Sequence, residues 1–223
     1  MKHFKIVLFV AIFNALLMAC AMQMQPVPMN TQIGSIGIAE SKKIPLNVAV
    51  VVPDPPTHRL MFKPIDKAPV DRTDQLPGEN FWPLNIELAK ASKDVFSQIF
   101  KSVTLLRKTP ALGSNYDLII IARLKEVQQS AKQPKPLQVD MPYELDYLWN
   151  LTVTNNEGVE ILKREDRTEP RIFMATSSMD VFVANIGRTS SELMSEMVTS
   201  WGRMIYNARE IRAYLREMEE TED

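Results

Sequence analysis

The sequence predicts an α+β fold: an antiparallel sheet of about four to five strands with two long helices packed on one face. Three observations carry this expectation. Residues 80–103, NFWPLNIELAKASKDVFSQIFKSV, repeat apolar side chains at helical spacing. Residues 143–154, YELDYLWNLTVT, alternate apolar and polar side chains, the period of a half-buried strand. The last third returns to a helical period and holds it to residue 218. Each amphipathic helix needs an apolar surface to cover, and a sheet with one apolar face supplies it.

In chain order, LNVAVVV at 46–52 is a short β-branched run and reads as a buried strand. Residues 53–80 hold six prolines, Pro53, Pro55, Pro56, Pro64, Pro69 and Pro77, which predicts a long loop with a brief strand at 59–63. Asn80 is placed to cap the first helix, and Pro83 suits its first turn. Leu84, Leu88, Ala91, Val95, Ile99 and Val103 form its stripe, widened by Phe96 and Phe100. VTLL then reads as a strand, and Tyr116–Gln129 as a long one, apolar on both sides before it alternates. In the next strand Tyr143, Leu145, Tyr147, Trp149, Leu151 and Val153 share the face expected to meet the helices. Glu144, Asp146, Asn150, Thr152 and Thr154 share the other. NNEG makes a hairpin turn into VEILKRED.

The final helix has two possible starts. One is the capping box Thr189–Glu192; the other lies near Ser178, with Gly187 inside the helix. From Met197 the apolar spacing runs 4, 3, 4, 3, 4, 3 through Trp201, Met204, Ala208, Ile211, Leu215 and Met218, a coiled-coil-like seam. A helix over 190–218 spans about 43 Å and one over 81–102 about 33 Å at 1.5 Å per residue. The longer helix then overhangs by about 10 Å. Ile211, Leu215 and Met218 are therefore the expected partner-binding residues.

Composition narrows the chemistry. Of 223 residues, 45% are apolar and 24% charged, which are globular values, and the net charge of −1 gives no electrostatic reason to expect nucleic acid. His58 is the one histidine beyond the leader, so no imidazole pair for a metal is available. No G-x-S-x-G and no glycine-rich phosphate loop occurs. Glu144 and Asp146 are the nearest carboxylate pair and read as a solvated strand face. Tyr143, Tyr147 and Trp149 read as core before they read as a ligand platform. The expectation is a protein that is not an enzyme and carries no cofactor and no metal.

The amino terminus carries the one motif with a mechanism. Lys2 and Lys5 precede a 14-residue apolar stretch, Ile6–Ala19, which is short for a membrane span and right for an export signal. Leu17-Met18-Ala19-Cys20 follows, and it resembles a bacterial lipobox. The resemblance implies cleavage before Cys20, acyl chains on that residue and attachment to a membrane. Ala21 after the cysteine points to the outer membrane, facing the periplasm, with the inner membrane still open. Ala19-Cys20-Ala21 is also an A-x-A site, so a cut after Ala21 that discards the cysteine stays open too. Cys20 is the only cysteine, so no disulfide forms.

The expected organisation is a signal peptide over 1–19, a lipidated cysteine and flexible tether over 20–45, one α+β domain over 46–218 and an acidic tail over 219–223. The strand–helix–strands–helix plan on a lipid tether resembles small periplasm-facing accessory lipoproteins of envelope assembly. That resemblance implies an accessory or scaffold role, with another envelope protein or a second copy as partner. The alternative is a lipid- or glycan-binding lipoprotein with a groove between sheet and helices.

Overall fold

The computed structural model describes residues 26–53, 56–62, 70–74, 82–131, 141–175 and 179–222. In chain order the elements are β1 (Ile44–Val51), β2 (Thr57–Phe62), β3 (Val70–Asp74), α1 (Leu84–Phe96), β4 (Phe100–Leu106), β5 (Leu118–Ala131), β6 (Met141–Asn155), β7 (Glu160–Arg167), β8 (Arg171–Ala175), α2 (Met179–Asn207) and α3 (Arg209–Glu222).

Two long antiparallel strands, β5 and β6, form the spine of one eight-stranded sheet. Each carries two shorter strands end to end on its outer edge. Along β5, β1 pairs at 118–121 and β2 at 126–131, both parallel. Along β6, β7 pairs at 148–154 and β8 at 141–145, both antiparallel. β4 lies outside β1 in parallel, and β3 lies outside β2 in antiparallel.

The sheet is therefore mixed and has eight strands, where an antiparallel one of four to five was expected. The reason lies in the order of elements. β1 and β2 run end to end along β5 in one direction, so both lie parallel to it, and β4 enters beside β1 in that same direction after the chain has turned back through β3 and crossed on α1. β2 includes His58, so that residue lies on a strand paired with Val127 and Asp74, not in a loop.

All three helices lie on one face. Val48 and Val50 of β1, Leu118, Ile120, Ala122 and Leu124 of β5 and Leu145, Tyr147, Trp149, Leu151 and Val153 of β6 turn toward them. They meet Leu88, Ala91 and Val95 of α1, Met194, Val198 and Trp201 of α2 and Ile211 of α3 in one core. A bulge between Leu124 and Glu126 shifts β5 by one residue, so Val127 is inward where simple alternation would turn it out. The opposite face holds only a small apolar group, Ala49, Val51 and Ile119.

The helix boundaries depart from periodicity in three places. α1 ends at Phe96, because Gln98 and Ile99 donate to Val95 and Phe96 in a tight turn and β4 begins at Phe100. Val103 of the expected stripe is thus on a strand. Pro83 is the cap of α1 and gives no side-chain bond; Asn80 lies outside the described residues. α2 takes the earlier of its two starts, with Gly187 inside it.

The third departure is a break at Ala208, after which α3 runs in place of a continuous rod. Asn207 Nδ2 satisfies the Arg203 carbonyl at 2.8 Å, and the helical ladder stops there. The seam of the long helix does not overhang. It folds back onto its own domain, and the expected acidic tail is helical to Glu222.

The expected tether also differs. Residues 20–25 lie outside the described residues, but 26–39 form an extended strap packed on the helices, followed by a 3-10 turn at Glu40–Lys42 and β1 from Ile44. Val27 is buried, and Met29, Ile33, Ile36 and Ile38 pack against the core. Apolar residues spaced irregularly over an extended segment leave no period for a sequence reading to catch.

Candidate functional site

The strap lies between α1 and α2 and follows the direction of α2. Asn30 N–H donates to Ser191 Oγ at 3.0 Å, Ser195 Oγ donates to the Gln32 carbonyl at 2.6 Å, and Ile36 abuts Gly202. Eight steps of extended chain, from Pro28 to Ile36, cover about 26 Å at 3.3 Å per residue. The matching stretch of α2, Gly187 to Gly202, covers about 22 Å at 1.5 Å per residue.

Side chains of the helices close the strap's hydrogen bonds. Thr31 N–H donates to the buried carboxylate of Glu87 at 3.2 Å, and Lys90 Nζ holds the other oxygen at 2.8 Å. Gln98 accepts from Ile36 N–H at 2.8 Å and donates to the Gly34 carbonyl at 3.3 Å. An extended segment without a strand partner would otherwise leave these groups to water.

Gly187 and Gly202 make the approach possible. A Cβ at 187 would stand 2.2 Å from the Pro28 carbonyl oxygen, and one at 202 would stand 2.6 Å from Ile36 Cδ1. The first clash is with backbone, so no side-chain rotation relieves it. A glycine inside a helix costs about 1 kcal/mol against alanine, which close packing offsets. This was the sequence signal for the strap: Gly187 with Ser191 and Ser195 on an otherwise good helix.

The face of β6 toward the helices is core. Tyr147 is fully buried and its hydroxyl donates to the Ser190 carbonyl at 3.3 Å; burial pushes its pKa up. Trp149 packs on Trp201 with ring centroids 5.3 Å apart, and Tyr143 stacks on Phe173 at 5.5 Å. Trp149 is 7% exposed, so its ring offers a ligand almost no surface.

The other face of the same strand is not simply solvated. Asp146 is only 3% exposed and pairs with Arg167 of β7, which also holds Glu126 at 2.8 Å and Gln128 at 3.3 Å. Burial raises the Asp146 pKa while Arg167 pulls it back. Glu126 and Asp146 hold the guanidinium charged against the cost of its own burial. The expectation of a solvated Asp146 fails because β5 and β7 flank it and bring Arg167 over it.

Beyond this cluster, Ile121, Arg123, Lys125, Asn150, Thr152, Lys163 and Glu165 line a shallow hollow of about 350 Å³ on the helix-free face. Lys125 pairs with Glu165 at 2.9 Å across it.

The three carboxyl-terminal residues expected to bind a partner sit differently. Ile211 is 1% exposed inside the chain's own core, which removes it from any outer surface. Leu215 and Met218 are half-buried against the same core. Tyr214 Oη donates to the Asp117 carbonyl at 3.2 Å, and Arg164 pairs with Glu210 at 3.1 Å, so α3 is held on the sheet's end. Cys20 lies outside the described residues. Among the described residues no group of three or more His, Cys, Asp or Glu could hold a metal ion, and no helix is long and apolar enough to cross a membrane.

No family model matches the chain, and no curated protein matches it. Solved structures resemble it at low identity. A Xanthomonas campestris protein of the DUF330 family is 8% identical, with a TM-score of 0.46 over 89% of this chain and 98% of that one. An uncharacterized lipoprotein B from Nitrosomonas europaea is 10% identical, with a TM-score of 0.42 over 80% of this chain and 91% of that one. A minor lipoprotein from Acinetobacter baumannii is 9% identical, with a TM-score of 0.36 over 70% and 91%.

Proposed function

We propose that the protein is an envelope lipoprotein, held on the membrane by acyl chains at Cys20, that serves as an accessory or scaffold subunit through protein–protein contacts. The lipobox pattern Leu17–Cys20 after a short export signal supports the anchor. The observation that carries the docking role is the helix-free face of the sheet. All three helices cover one side. The other presents Arg123, Lys125, Asn150, Thr152, Lys163 and Glu165 around a shallow hollow, on strands stiffened by the Arg167 cluster. A broad polar surface on regular strands suits another protein better than a small ligand, which prefers an enclosed, mostly apolar pocket.

Two experiments test the two halves. Cells labelled with a palmitate analogue should mark the wild-type protein and not Cys20→Ala; equal label on both removes the anchor. A photo-reactive residue at Thr152 should give one discrete protein adduct in intact cells, and the same residue at exposed Gln32 should not. Matching adduct patterns at both positions would remove the docking role from this face.

A further inference from the structure

The strap and the length of chain before it fix which end of the domain meets the membrane. Five residues separate Cys20 from Pro26, where the docked strap begins. Six residue steps reach at most about 20 Å when fully extended. Pro28 is already seated against Gly187. From Gly187 to the end of α2 at Asn207 is about 30 Å at 1.5 Å per residue. An inverted domain, with that far end on the membrane, would lift the strap's start beyond the reach of an acylated Cys20.

The near end has a surface of suitable chemistry. Val181, Ala184 and Arg188 follow at i, i+3 and i+7, so they share one exposed stripe on the first turns of α2. Val181 is 45% exposed. Among the described residues the Arg188 guanidinium donates to neutral Asn185, at 3.4 Å. Asp180 and Glu192 are the carboxylates on the same side of the helix, and Glu192 lines with Arg188, Ala184 and Pro28 a hollow of about 390 Å³ where the strap enters.

We propose that the docked strap holds the amino-terminal end of α2 against the lipid surface, with Val181 and Ala184 at the interface and Arg188 at a headgroup phosphate. This rests on acylation of Cys20. The strap then acts as a spacer. Fourteen residues, 26–39, that could have lengthened the tether lie along the helices instead, and the domain rides close to the bilayer in one orientation.

Because Cys20 is the only cysteine, an added one can be labelled alone once Cys20 is acylated. Ala184→Cys and Glu157→Cys, the latter at the β6–β7 turn at the far end of the sheet, each take a fluorophore. Each full-length acylated protein is placed in phosphatidylcholine–phosphatidylglycerol vesicles whose headgroups carry a nitroxide quencher. The expected result is quenching several-fold stronger at 184 than at 157. Equal or reversed quenching on protein of confirmed acyl mass overturns the orientation and leaves the anchor standing. A purified protein without acyl mass overturns both. Inserting twenty Gly/Ser residues between Gln23 and Met24 leaves the strap seated and should bring quenching at 184 down toward the value at 157. Undiminished quenching in that variant overturns the short leash as the cause.

Discussion

The two ends of the described chain are held on the domain in opposite ways. The carboxyl-terminal helix α3 is strongly periodic and is held mainly by apolar burial, with Ile211 in the core and Leu215 and Met218 against it. The amino-terminal strap has no period. It is held by side chains that bond its backbone, Glu87 of α1, Gln98 of the turn after it and Ser191 and Ser195 of α2, and by two glycines that let it come close. Burial is non-directional and shows in a sequence as a pattern. Backbone capture by scattered polar side chains depends on tertiary placement and leaves almost no local trace.

Variants at the two ends should separate these modes. The largest effect belongs to Ile211→Ala, which should cost about 2–5 kcal/mol of global stability, as removal of a buried aliphatic side chain does. Chemical denaturation of the whole domain measures it, and a loss below 1 kcal/mol would mean that α3 is only loosely held. Gly187→Val should cost about 1–3 kcal/mol through overpacking. Its signature is local: amide exchange at Asn30, Thr31 and Ile36 should speed up before the sheet amides do. Uniform acceleration everywhere would show that strap and domain unfold as one unit.

Smaller effects follow. Ser195→Ala and Gln98→Ala should each cost about 1 kcal/mol, the net value of one hydrogen bond, and should expose the strap to protease. Tyr214→Phe removes one bond from α3 and should cost about 0.5–1 kcal/mol without changing strap exchange. The smallest effect is at Glu210. Its carboxyl lies below the ordinary 4.5, lowered by a backbone hydrogen bond at its own position and by Arg164. A lowered folded value means that its contribution is present above 4.5 and is lost as pH falls through the folded pKa. Glu210→Gln should therefore flatten stability against pH in the acid range, and an unchanged profile would remove the Arg164–Glu210 pair from the account of α3.

Much of the layer plan was legible. The alternation of β6 named its inward face, Tyr143 through Val153, and α2 showed its stripe as far as Trp201. Long-range pairing was not legible. Nothing local in LNVAVVV says that β1 lies parallel to β4 and β5, or that β2 continues it along the same edge. The seam through Ile211 is apolar, as its spacing predicts, but it is seated on its own domain, because a period continues across a break such as Ala208 while the chain direction does not. Asp146 looked solvated because Arg167 comes from a different strand. Of the candidate site, the strap was the hardest part to see, since its seat is more than a hundred and fifty residues away.

That separation orders events in time. The strap leaves the ribosome first among the described residues, yet its seat on α2 is made of residues 187–202, nearly the last to appear. Sheet and α1 can assemble while residues 26–38 still wait for a surface. Until α2 is complete, the strap's backbone has neither Ser191 and Ser195 to bond nor the close seat at Gly187 and Gly202. The strap is thus among the last parts of the described domain to be fixed, although it is the first to be made.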